Sequence, residues 1–142
     1  MAVDRPDPVV AKRLLICDAI EKRSDGGVNL INLWLLKRLP KGWTRGSELK
    51  PWAAFAWVTN GRGRVRFRLY VAPQQSDGRQ DHIRSSPIQE VSFSDPVETF
   101  FLSFSIAGLA IDAPGDYLVE LHCEDKFGYM YFLDDILVTF AE

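Results

Sequence analysis

The sequence predicts an all-β domain: an antiparallel two-sheet sandwich of immunoglobulin-like or related Greek-key type, with about eight strands. Three observations carry that expectation. Short runs rich in β-branched and aromatic residues alternate apolar with polar, as in IQEVSF from Ile88 and FFLSFSI from Phe100. Turn signals at Asp25-Gly26-Gly27, Asn60-Gly61 and Pro114-Gly115 separate such runs. No stretch carries a convincing helical period. A partly closed β-barrel is the competing architecture.

The chain of 142 residues, 46% hydrophobic, is the size of one domain with one core. Residues 1–10 hold Pro6 and Pro8 among aspartates and are expected to form a flexible arm, leaving residues 11–142 as a single domain. No run reaches the roughly 18 apolar residues that span a bilayer, and the first residues lack the apolar segment of a signal peptide. The expectation is a cytoplasmic protein without membrane contact. Cys17 and Cys123 fall in separate apolar runs and read as buried free thiols. Without neighbouring histidines they cannot fill the four positions of a zinc site, so neither a metal nor any other cofactor is expected.

Leu14–Ile20, apolar on both faces except for Asp18, reads as a covered strand that pairs with Val28–Leu36 across Asp25-Gly26-Gly27. Residues 37–51 combine two prolines, two glycines and five basic residues around Trp43, a composition that favours a loop. Trp43 is expected to fold back over the end of the sandwich. Residues 52–72 read as a β-hairpin about Asn60-Gly61, its second arm alternating Arg62, Arg64, Arg66, Arg68 with Gly63, Val65, Phe67, Leu69. A two-residue turn would set Phe55 and Trp57 beside the arginines. A three-residue loop with a left-handed Gly61 would set them with Val65 and Phe67 instead, and core packing prefers this register because each large side chain gains roughly 1.5–3 kcal/mol on burial.

Residues 73–87 are polar and expected to be mobile, with His82 a solvated side chain. Beyond them, Leu102, Phe104 and Ile106 read as core, as do Tyr117, Val119, Leu121 and Cys123. The last strand changes phase at Asp134-Asp135, which predicts a β-bulge or two short strands.

RLLICDAI, NGRGRVRFRLYV, VSFSDP and IAGLAIDAPGDYLVELHC, in this order, resemble a family of small bacterial proteins of unknown function thought to be single β-sandwich domains. The resemblance covers most of the chain from about Ala11 and implies a fold but no catalytic residues. Pro114-Gly115-x-Tyr117 also resembles the tyrosine corner of immunoglobulin-like domains, in which the hydroxyl bonds upstream backbone; Val119 stands where those domains carry a cysteine.

No nucleophile elbow, zinc-protease or phosphate-loop motif is present. Calcium would need converging carboxylates, and Asp112, Asp116, Asp134 and Asp135 match that spacing poorly. Asp18, inside an apolar run, is expected to be satisfied by backbone N–H groups or an arginine. Charge is unevenly placed: residues 1–84 hold 16 Lys and Arg against 8 acids, a balance of +8, and residues 85–142 hold one against 11, a balance of −10. The halves are expected to pair internally, with Glu120 a natural partner for the arginines. The functional expectation is a non-enzymatic protein-binding or scaffold module that self-associates or takes a protein partner. Its candidate surface is Arg62, Arg64, Arg66, Arg68, Lys41, Trp43 and Arg45. Binding of nucleic acid or another polyanion through the arginine-striped strand is the alternative.

Overall fold

The computed structural model describes residues 9–74, 82–124 and 127–142. Among the described residues ten strands form two packed sheets, and no barrel closes. They are β1 (Val10–Lys22), β2 (Val28–Leu33), β3 (Leu36–Arg38), β4 (Trp52–Thr59), β5 (Gly63–Pro73), β6 (Arg84–Ser85), β7 (Gln89–Phe93), β8 (Thr99–Ile106), β9 (Gly115–Glu124) and β10 (Met130–Ala141). The four-stranded sheet runs β2-β1-β4-β8; the six-stranded sheet runs β3-β10-β9-β5-β6, with β7 also on β5. The count exceeds the expected eight by two short edge strands, β3 and β6. All pairs are antiparallel except β3 with β10, which is parallel. Among the described residues there is no helix long and apolar enough to cross a membrane.

The expected hairpin of residues 52–72 is not one. β4 pairs with β1 and β8, whereas β5 pairs with β6, β7 and β9, so Asn60–Arg62 carries the chain from one sheet to the other. Asn60 and Gly63 take left-handed backbone angles, φ 64° and 66°. Gly61, expected to be left-handed, is required for space: a Cβ there would lie 2.2 Å from the Phe93 ring.

That crossing also reverses the expected faces. Trp52, Ala54, Ala56 and Val58 join the core with Val65, Phe67, Leu69 and Val71, while Phe55 and Trp57 point to the opposite side of their sheet. Neither register weighed for the hairpin survives, because the two strands never lie side by side. Small side chains on β4 leave room for Phe67 and Phe104 in a core that packs at near-crystalline density.

Other strands follow their patterns. Leu14 and Ile16, Leu102 to Ile106 at even positions, and Tyr117 to Cys123 at odd positions are buried. The phase change in β10 is a bulge, the register shifting between Phe132 and Asp134. The Tyr117 hydroxyl donates to Ala113 O at 2.7 Å, closing the corner that Pro114-Gly115-x-Tyr117 suggested. Residues 1–8 of the expected arm lie outside the described residues, but Val9 is already core and Val10 opens β1, so the domain begins before Ala11.

Replacing Ala54 or Ala56 with leucine should destabilise the fold by about 1–3 kcal/mol through overpacking, read by urea denaturation. A neutral result would place these positions on an open face.

Candidate functional site

The arginine stripe lies on the outer face of the six-stranded sheet, as its alternation with Val65, Phe67 and Leu69 requires. Its partner is Glu90 on β7: one carboxylate oxygen lies 3.2 Å from Arg64 and the other 3.3 Å from Arg66. Arg62 is exposed, and Arg68 is half-buried opposite His122. Arg45 pairs with Asp112 at 3.5 Å, Lys41 is exposed, and Trp43 packs against the core. The structure therefore does not gather the seven candidate residues into one surface. Several basic residues of the first half do meet acids of the second, in exposed pairs of small energy.

Glu120 takes no part in that pairing. Its side chain is 1% exposed, although it stands on the outward-facing register of β9 between Tyr70 of β5 and Asp135 of β10. Its Oε1 accepts a hydrogen bond from His122 Nε2 at 2.9 Å and from His82 Nε2 at 3.3 Å. Oε2 is buried with no hydrogen-bond partner among the described residues. Aromatic rings hold the imidazoles in place. Tyr70 stacks on His82 with centroids 4.4 Å apart and meets His122 edge-on at 4.8 Å, and Phe132 closes the far side of His122 at 5.7 Å.

This constellation corrects one expectation, since Glu120 serves histidines and not arginines; His82 is exposed as expected, and its Nε2 also meets Glu120. Half of it is legible in Glu120-Leu121-His122, since residues two apart on a strand share a face. No local signal places His82 there, because the segment before β6 is brought back onto β9 only by the β5–β6 and β5–β9 pairings.

Asp18 is satisfied by neither backbone nor arginine. Lys37 Nζ donates to Oδ1 at 2.5 Å and Asn32 Nδ2 to Oδ2 at 3.2 Å, so the pair ties β1 in one sheet to β3 in the other. It lines a cleft of about 410 Å³ with Trp34, Trp52 and Phe140. Asp18 and Lys37 already satisfy each other in this cleft. The Lys37 hydrogen bond holds the Asp18 carboxyl below its ordinary range. Cys17 and Cys123 are buried and not joined in a disulfide, and burial pushes the Cys17 thiol up, away from the reactive thiolate.

The outer face of the four-stranded sheet carries an apolar patch among polar residues: Arg13 stands opposite Trp57, Ser103 opposite Phe55, Ser105 opposite Ala53 and Glu21 opposite Asn29. Leu15, Cys17 and Ala19 of β1 share it with Ile31 and Leu33 of β2, Ala53, Phe55 and Trp57 of β4, and Phe101 of β8. Phe55 is covered by its neighbours Trp57 and Phe101, with ring centroids 5.0 and 5.7 Å away. No known protein family matches the chain, and no curated protein does.

Because the folded-state pKa of Asp18 is depressed, its pairing stabilises the protein above the unfolded carboxyl pKa and is lost as pH falls through the folded value. Asp18→Asn should remove up to about 1 kcal/mol at neutral pH and nothing at strongly acidic pH. Denaturation midpoints measured across pH 2–7 check this, and a pH-independent loss would contradict it.

Proposed function

We propose that this chain is a non-enzymatic β-sandwich binding module that joins a second copy of itself through the outer face of the four-stranded sheet. The apolar character of that face carries the reading. Leu33 is 59% and Phe101 56% exposed, on a face where an antiparallel sheet open to water would alternate to polar residues. A face with few charges needs no matching charges from its partner. It can therefore meet itself across a two-fold axis, the commonest closed arrangement of identical chains. The pairing of Arg64 and Arg66 with Glu90 takes charge away from the stripe on the opposite sheet and weighs against a polyanion as the ligand. Two buried cysteines outside any disulfide suit a reducing, cytoplasmic setting, and the Tyr117 corner supports an immunoglobulin-like kinship of the sandwich.

Sedimentation equilibrium tests the proposal. The wild-type chain should dimerise, and Phe101→Glu, which alters an exposed residue of an edge strand, should weaken association at least tenfold with the fold intact by circular dichroism. Reversal of Arg64 and Arg66 to glutamate should leave it unchanged. A wild-type chain still monomeric at about 1 mM, where a contact of only about 4 kcal/mol would half-form, overturns the proposal.

A further inference from the structure

The geometry points to a metal site on the other outer face of the sandwich: His82, Glu120 and His122 form a three-ligand set for a divalent transition-metal ion of the zinc class. One ligand atom from each residue lies within 4.8 Å of the other two. An ion that holds nitrogen and oxygen at about 2.0–2.2 Å needs them somewhat closer than that limit, and a small rotation of the half-exposed His82 side chain supplies the movement. His122 and Glu120 are fixed on β9, so only the third ligand has to adjust.

Three further observations favour a cation at this place. The first is Glu120 Oε2, fully enclosed beside the two imidazoles and without a hydrogen-bond partner among the described residues. A buried carboxylate oxygen in that state is costly, and a bound ion is one of the few things that would satisfy it. The second is Asp135, directly opposite Glu120 across the β9–β10 pair, which places another carboxylate on the same face. Like charges in that position repel, and a bound cation relieves the repulsion together with Arg68, which stands opposite His122 on the same face. The third is the clasp of Tyr70 and Phe132 around the imidazoles, which limits their rotation as the surroundings of a metal-bound histidine must.

The donor set selects the class of ion. Two imidazoles with one carboxylate suit zinc and its first-row neighbours, whereas calcium and magnesium prefer all-oxygen shells of six or more. Both Nε2 atoms face Oε1 of Glu120, at 3.3 Å from His82 and 2.9 Å from His122. Coordination through Nε2 requires each neutral imidazole to hold its single ring proton on Nδ1, so a proton borne by Nε2 moves to Nδ1 as the ion binds. Three protein ligands leave a fourth position for water. Bound there, the ion ties the segment that precedes β6 to the middle of β9.

Equilibrium dialysis of the full chain against Zn(II), with Co(II) absorption as a second readout, tests the assignment. The expected result is one ion per chain, a visible Co(II) spectrum of four-coordinate intensity, no Ca(II) uptake, and at least tenfold weaker Zn(II) binding in His82→Ala and in His122→Ala. His82 lies outside the hydrophobic core, so its removal leaves the fold standing even if Glu120→Gln does not fold. Replacement of Cys17 and Cys123 by serine should leave Zn(II) uptake by the folded chain unchanged, since Cys17 lies in the other sheet and Cys123 points to the core face of β9. No stoichiometric uptake by the folded chain, or uptake of equal strength in His82→Ala, overturns the assignment.

Discussion

The two sheets meet through a mismatch in side-chain size. β4 offers Trp52 and then Ala54, Ala56 and Val58 to the interior, and β5 of the other sheet offers Val65, Phe67 and Leu69. Large residues on both strands would hold the sheets too far apart, whereas small residues against large ones let them close at ordinary sandwich spacing. The turn at Asn60–Arg62 exists to serve that arrangement, since it moves the chain from one sheet to the other with Gly61 pressed against the Phe93 ring.

With the alanines committed to the interior, Phe55 and Trp57 are forced outward. They form with Phe101 an aromatic patch that no layer of this chain covers among the described residues. The opposite outer face mixes internally paired charges with exposed apolar side chains: Glu90 neutralises two arginines and Glu120 gathers two histidines, beside Met130, Phe132 and Leu137. The sandwich thus has two unlike exteriors, and each departs furthest from the usual solvated sheet face at one place. On one it is exposed apolar area; on the other it is a buried carboxylate with an unsatisfied oxygen. Both departures have a cost in an isolated chain, which is why each is read as a place where something binds.

Legibility of the candidate sites follows the range of the interactions that build them. Glu120 and His122 share a face because the strand period is two, and this was available from their spacing. The burial of Glu120 was not, since it depends on Tyr70 and His82 arriving from elsewhere. The arginine stripe was visible as a stripe, but its choice of Glu90 over Glu120 depends on β7 pairing with the first half of β5. Asp18 was recognisable as a carboxylate needing a partner. That the partner is Lys37 depends on the chain changing sheets at Trp34, between β2 and β3.

The sequence by itself determined the class of the fold, the alternation of nearly every strand, the β1–β2 hairpin, the tyrosine corner and the bulge in β10. Each of these is set by residues within a few positions of one another, through pleat period, turn geometry or a short side-chain bond. Only the tertiary structure decided that β4 and β5 belong to different sheets, that Trp57 faces outward, and that His82 meets Glu120. Alternation tells that a strand has two faces but not which neighbour it lies beside; that choice is made by core volume and strand pairing summed over the whole chain.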